Sequence, residues 1–242
     1  MTDERLYRDD HVVPEALVAQ ANGHDPVNGS DSLGARYLVP QTLLTQQEAA
    51  ATARLGRAPS ILGTTQTQWW KQTMASSTAV WKVWGNELML NRLWADLSQI
   101  APAPYNDNFV INCDAWDGFP THKADLLGFL RSQNVRNVVA ITGDLHAFQC
   151  GVVRDTPDPQ VGTPVLVDFV CAGISSSSFY QYVKSATAGT PLSIFTATPQ
   201  LFDKLVRGFN PDFVFTDHNA QGYASATVTP ENFFVVFRSE EH

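Results

Sequence analysis

Val138-Val139-Ala140-Ile141-Thr142 is an unbroken, largely β-branched run that stops at Gly143, and Asp144 and His146 follow within three residues. A run without polar alternation marks a strand covered on both faces. Such strands belong to α/β sheets rather than to half-exposed antiparallel ones. The loop at the carboxyl end of a buried strand is where an α/β fold places its chemistry. Asp144 and His146, separated by one residue on extended or tightly turned backbone, can project to one side and share a site. Their carboxylate and imidazole are candidate metal ligands. A solvated turn after a core strand is the competing reading on spacing alone.

The same grammar recurs around this stretch. Upstream, Phe109-Val110-Ile111 predicts a strand leading into Asp114-Ala115-Trp116-Asp117-Gly118-Phe119-Pro120, a rigid turn with two carboxylates. Thr121 is placed to cap a helix over 122–132, with Ala124, Leu127, Phe129 and Leu130 as the buried stripe and His122 exposed in the first turn. A second helix is predicted from Thr64 or Thr65 to Ser76. It is followed by a strand over 79–84 that ends, like the first, in a glycine and a polar side chain, Gly85-Asn86. Downstream, 149–154 and 165–171 read as a hairpin turned by Asp155-Thr156-Pro157-Asp158-Pro159. Residues 172–178 are Gly/Ser-rich and form either a flexible linker or the lining of a cleft. The region 179–209 is helical in part, and 222–228 with 233–238 make an antiparallel finish. Between Val12 and Ala58 the text is loop-like, punctuated by Asn22-Gly23, Asp25-Pro26, Asn28-Gly29-Ser30 and Gly34, with helical order only near 45–54.

Composition narrows the chemistry. The 242 residues suffice for one sizeable core, or for two small ones, and 44% are hydrophobic. A net charge of -8 without any Lys/Arg-rich run lacks the footprint of a nucleic-acid binder. An acidic chain can still hold phosphoesters if multivalent cations invert the local charge. Cys113, Cys150 and Cys171 lack paired zinc spacing and read as buried thiols, with a single disulfide left open. There is no signal-peptide h-region at the start and no apolar stretch of membrane-spanning length. The charged segment from Asp3 to Asp10 fits a solvated terminus, or the end of a strand with Arg5 placed to meet an anion.

Six ordered blocks then carry a resemblance: Asp3 to Asp10; Leu62-Gly63 with Gln66 and Trp69; Trp81 to Met89; Asp114 to Pro120; Asn137 to His146; and Gly222-Tyr223 with Val228-Thr229-Pro230. Together they resemble the alkaline phosphatase D, or PhoD-like, metallophosphoesterases over nearly the whole chain. The resemblance implies an α/β fold, a partial αββα sandwich of the calcineurin-like metallophosphoesterase type. It also implies hydrolysis of a phosphate-ester small molecule or a phosphodiester at a metal centre between sheet ends. It assigns Asp144 and His146 to the metal, and Asp144, His146 and Arg5 to catalysis. Arg5, Asn86 and Asp117 are assigned to substrate binding. Glu4 stands where such sequences usually carry threonine. Calcium would suit the carboxylate oxygen and an iron-type ion the imidazole.

The cysteine-containing, Gly-Asp-x-x-Tyr and Asp-Asp-His-Glu segments that supply most ligands in such enzymes have no counterpart here. The expectation is therefore that 1–242 is the C-terminal portion of the domain without its N-terminal half. Its activity is then incomplete, and uncovered strand edges favour self-association or a partner that supplies the missing half. A catalytically silent fragment or interaction module that keeps the fold is the alternative. The resemblance also implies export, to periplasm or exterior, although this chain has no signal peptide of its own.

Overall fold

The computed structural model describes residues 1–22 and 36–240. The turn signals at Gly23, Asp25-Pro26, Asn28-Gly29-Ser30 and Gly34 lie outside the described residues.

The apolar run forms strand β5 (Val138–Thr142) and lies inside a five-stranded mixed sheet. The order is β2 (Lys82–Gly85), β5, β7 (Pro164–Val170), β6 (Phe148–Arg154) and β8 (Phe213–Asp217). β2 and β7 run parallel to β5; β6 runs antiparallel to β7 and to β8. The hairpin reading of β6 and β7 therefore holds, while the strand before the 122–132 helix joins a different sheet, so the parallel neighbours of β5 are β2 and β7.

The two faces of this sheet differ. Trp84, Ala140 and Asp168 share one face because their registers align. That face is covered by α3 (Gly63–Ser76) and α4 (Pro120–Ser132), with Trp70 4.7 Å from Trp84 and Trp84 5.6 Å from Trp116, ring to ring. Leu126, Leu127 and Leu130 of α4 are buried in the same core, each worth about 1.5–3 kcal/mol on folding. The opposite face carries Ile141 and Phe169 and is covered by the hairpin of β9 (Gly222–Val228) and β10 (Phe233–Ser239). Phe233 and Phe237 lie over Phe169, and Phe237 also stacks on Phe215. The cover is partial: Val83, Ile141 and Phe215 remain 48%, 45% and 40% exposed. The expectation of a strand sealed on both sides is corrected here, because a two-stranded ribbon is narrower than the sheet it covers.

A second layer is the three-stranded sheet of β1 (Tyr37–Pro40), β4 (Asn108–Asn112) and β3 (Trp94–Asp96), antiparallel throughout. It packs with α5 (Phe179–Thr187), a 3-10 turn at Pro191–Thr196 and α6 (Pro199–Phe209) around Phe109, Phe179, Leu192, Phe202 and Val206. Ser178 and Thr198 cap α5 and α6, accepting the backbone N–H groups of Gln181 and Leu201.

Several local expectations change. The span from Val12 to Ala58 holds α1 (Glu15–Asn22), β1 and α2 (Gln41–Leu55); α2 ends at the left-handed Gly56, whose N–H bonds the Thr52 carbonyl. The segment from Asp3 to Asp10 is bent rather than extended, with Thr2 and Glu4 buried. His122 is buried as well: Ile61 N–H donates to its Nδ1 at 3.1 Å and Thr67 Oγ1 lies 3.0 Å from its Nε2. Burial pushes its pKa down to about 4. The buried stripe of α4 is therefore His122, Leu126, Leu127 and Leu130, while Ala124 is exposed and Phe129 half-buried. Thr121 does not cap the helix. Pro120 occupies its first position, and the Thr121 N–H is satisfied by Glu48 Oε1 at 2.9 Å. The three cysteine thiols are free, Cys113 buried and the other two half-buried. Among the described residues no helix is long and apolar enough to cross a membrane.

Candidate metal and anion site

The turn after β5 carries its strain on side-chain-bearing residues. Asp144 and His146 both adopt left-handed backbone, φ 65° and 59°, while Gly143 does not. Each such residue costs on the order of 1 kcal/mol, a conformation retained where it aims a functional group. Leu145 and Ala147 point inward and are buried, so Asp144 and His146 emerge together on the outer side.

The turn rests on a buried polar ladder. Asn86 N–H donates to the Ile141 carbonyl (3.1 Å), Asn86 Nδ2 donates to Thr142 Oγ1 (2.9 Å), and that hydroxyl donates to Asp168 Oδ1 (2.6 Å). Trp116 Nε1 donates to Asn86 Oδ1 at 3.0 Å, and Leu90 N–H donates to Asp168 Oδ2 at 2.8 Å. Burial raises the Asp168 pKa to about 6 against these donors.

His146 is oriented from the other side. Its Nδ1 lies 3.0 Å from the carbonyl oxygen of Ser177. A carbonyl only accepts, so Nδ1 carries the proton and Nε2 keeps its lone pair, the tautomer a metal-ligating histidine needs. Phe179 N–H bonds the His146 carbonyl at 3.0 Å, and Tyr182 of α5 packs beside the ring at 6.0 Å. The Gly/Ser stretch before α5 is thus one wall of the site.

Arg5 reaches Asp144 from the amino-terminal segment, Nη2 to Oδ1, at 2.8 Å. Its loop is fixed by Asp3, whose carboxylate accepts the Arg5 and Leu6 N–H groups, and by Gln66 of α3, which exchanges two hydrogen bonds with the Asp3 backbone. The pair's side chains are 52% and 41% exposed. Such a pair is worth about 0–1 kcal/mol, and a multivalent cation can displace the guanidinium from the carboxylate.

Beside this pair lie groups that sequence reading did not assign. Arg8 Nη2 is 2.8 Å from His11 Nδ1, and the guanidinium lies 5.1 Å from the centre of the Phe119 ring, with Nε and Nη1 buried and unpartnered. Asp114 accepts from Arg36 at 3.4 Å and lies 3.3 Å from His11. Burial and the neighbouring Arg8, Arg36 and Arg5 push His11 down to about 4, so it is neutral at pH 7. Burial also raises Asp114 and lowers Arg8. In a chain of net charge -8, three guanidinium groups here face Asp114 and Asp144. Arg8 and Asp114 fell inside the recognisable blocks; Arg36 had no signal, because only the β1–β4 pairing brings it to Asp114.

The two other residues expected at the substrate are engaged in buried hydrogen bonds. Asn86 is buried with its amide fully engaged by Leu88, Thr142 and Trp116. Asp117 is buried too, accepting from Leu93 N–H at 2.8 Å and from Lys123 Nζ at 2.6 Å. The structure joins Arg5 to Asp144, with His146 two residues on in the same turn; Asn86 is bonded under that turn through Thr142, and Asp117 is held by Leu93 and Lys123.

Among the described residues no group of three or more His, Cys, Asp or Glu side chains is gathered closely enough to hold a metal ion. The exposed Asp144 carboxylate and the free Nε2 of His146 fit a metal as two donors of a larger set.

This mixed α/β scaffold sets a carboxylate, an imidazole and guanidinium groups at strand ends. Residues 1–237 match the PhoD-like phosphatase family, and the chain belongs to it. Alkaline phosphatase D of Bacillus subtilis (strain 168) is 33% identical over 179 residues, covering 74% of this chain and 26% of that protein. A solved structure of PhoD superposes with a TM-score of 0.63 at 20% identity, covering 98% of this chain and 35% of that one, which shows the shared fold. The chain thus spans about a quarter of the length of the curated relative it matches.

Proposed function

We propose that the chain supplies one wall of a metal-dependent phosphoesterase site, with Asp144 and His146 as ligands and Arg5 as the group that meets the phosphoryl oxygens. The observation that carries this reading is the contact of His146 Nδ1 with the Ser177 carbonyl, which in the neutral ring leaves the lone pair on Nε2, in the turn that also carries the exposed Asp144 carboxylate. Family membership supports the reaction class.

A bound metal would neutralise phosphoryl charge and lower the pKa of a water. Calcium on Asp144 and an iron-type ion on His146 match the donor chemistry. The residues of this chain do the positioning. The polar ladder of Asn86, Thr142 and Asp168 fixes the turn, and Gln66 and Asp3 fix Arg5. In this reading the remaining metal donors lie outside the described residues, and Asp144 and His146 by themselves give slow hydrolysis.

Turnover of p-nitrophenyl phosphate and bis-p-nitrophenyl phosphate tests this, with calcium and iron added to the metal-stripped chain. Metal-dependent turnover lost in Asp144→Ala is expected; turnover untouched by that substitution refutes the site. The second reading, an interaction module that keeps the fold without the chemistry, is favoured by the exposed Val83, Ile141 and Phe215 on the sheet face. Tight stoichiometric metal binding by the chain would refute it.

A further inference from the structure

A cavity of about 160 Å³ lies where α2, α4 and the end of β6 meet Arg92 and Trp94. It stands apart from the turn after β5. Gln149, Val170 and Thr142 share one level of the five-stranded sheet, and Val153, Leu166 and Val138 share the opposite end. Val153, Arg154 and Asp155 line the cavity, whereas Arg5, Asp144 and His146 are not in its wall.

The lining joins apolar side chains, among them Leu44, Val110, Leu127 and Val153, to six charged ones. Its three carboxylates are each paired: Asp117 with Lys123 at 2.6 Å, Asp212 with Arg154 at 2.8 Å, and Asp155 with Arg131. Arg92 is the cation left over. Its Nη1 and Nη2 donate to the carbonyls of Pro157 (3.1 Å) and Phe209 (2.5 Å), and among the described residues it forms no ion pair. Asp117, Asp212 and Asp158 act on it only through space, and burial lowers its pKa against them. A guanidinium carries five N–H donors in a planar fork, so a carboxylate can still be taken. Trp94, whose ring centre is 5.1 Å from that guanidinium, also lines the cavity and holds its indole N–H buried without a hydrogen-bond partner. Buried donors are ordinarily satisfied, so this wall asks for an oxygen acceptor.

We infer that the cavity binds a small monocarboxylate with a body of about benzene size, its carboxylate taken by Arg92 and the Trp94 indole N–H. Volume and charge set the class. An apolar cavity of about 150 Å³ takes one benzene ring, and this one is of that size and largely apolar. A second negative charge, as on inorganic phosphate, would meet carboxylates whose cations are already engaged. A ligand cation would face Arg92 with no carboxylate free to receive it.

The test is an NMR titration of the 242-residue chain with benzoate, benzamide, benzylamine, acetate and inorganic phosphate, read on the indole N–H signals, with Trp94→Phe assigning that of Trp94. Benzoate should saturate while moving the Trp94 signal, and bind about tenfold more tightly than benzamide, the least that a hydrogen bond to a charged group contributes. Acetate, without the body, and benzylamine, of the wrong charge, bind more weakly than benzoate, and phosphate does not compete. Arg92→Gln removes the preference for benzoate over benzamide. Ala124→Leu enters the cavity from an exposed position on α4 and abolishes binding of both, a result that decides the location even if Arg92→Gln fails to fold. Benzoate binding that Ala124→Leu leaves intact, that inorganic phosphate displaces, or that never moves the Trp94 signal overturns the site. Equal affinity for benzoate and benzamide in the parent chain overturns the carboxylate assignment.

Discussion

Glu4 stands immediately before Arg5, has no solvent exposure, and makes the sharpest thermodynamic prediction. Its Oε1 accepts from Thr2 Oγ1 at 2.5 Å, its Oε2 accepts the Glu87 N–H at 2.7 Å, and its own N–H donates to Glu87 Oε2 at 3.1 Å. Burial raises its pKa from 4.5 to about 7; the Glu87 carboxylate adds to the rise, and the donors from Thr2 and the Glu87 backbone oppose it. Between those two values the folded chain keeps a proton that the unfolded chain has released. Stability from this group is therefore full below pH 4.5, falls as pH rises, and is lost above pH 7. The span corresponds to about 3 kcal/mol. Glu4→Gln keeps the shape and an acceptor but cannot ionise, so its advantage over the parent should grow from near zero at pH 4.5 to about 3 kcal/mol at pH 8. For a chain of this length that is a gap of about 10 °C in melting temperature. Urea and thermal unfolding of both proteins at pH 4.5, 6 and 8 measure it. Parallel pH profiles would refute the account of Glu4 as a buried, proton-holding carboxyl. Because Glu4 holds the segment that presents Arg5, the same ionisation is expected to loosen the Arg5–Asp144 pair.

Two further substitutions and a control test the buried turn and ion pair around Asp117. A Cβ on Gly118 would lie 1.8 Å from the Cys113 carbonyl oxygen, so Gly118→Ala must displace the Trp116–Gly118 turn and should cost on the order of 4 kcal/mol, read as a collapse of the denaturation midpoint. Gly128→Ala, in α4 with nothing within 4 Å, is the control and should gain up to ~1 kcal/mol. Lys123→Met leaves Asp117 buried without its cation, which should cost about 3–5 kcal/mol in urea unfolding; an equal loss for the same substitution in an Asp117→Asn background would assign the effect to packing instead.

What could be read in the sequence follows from which signals are local. Strands β5, β6 and β7 and helix α3 were legible because their apolar pattern lies within each segment. His122 was misread because hydropathy treats imidazole as a surface group, whereas here Ile61 N–H and Thr67, sixty-one and fifty-five residues away, satisfy it inside the core. β1 was missed for the same kind of reason. Four residues between loop signals have no period of their own, and their strand exists through the register Tyr37–Asn112 and Val39–Val110.

The site divides along the same line. Asp144 and His146 stood out because ligation needs a carboxylate and an imidazole, and only a few residue types supply them. What makes them usable is less visible. The proton on His146 Nδ1 is held by the carbonyl of Ser177, a group every residue possesses, so neither the serine nor its neighbours signal the role. Arg5 reaches Asp144 because Gln66 bonds the backbone of Asp3, and any side chain with an amide in that place would read the same. The left-handed turns at Asp144 and His146 fall on residue types that also sit there in ordinary turns, so the strain gives no sign in the sequence. Chemistry that depends on residue type is therefore legible from one chain, while orientation, which any backbone carbonyl or amide can impose, becomes visible only when the strands are assembled.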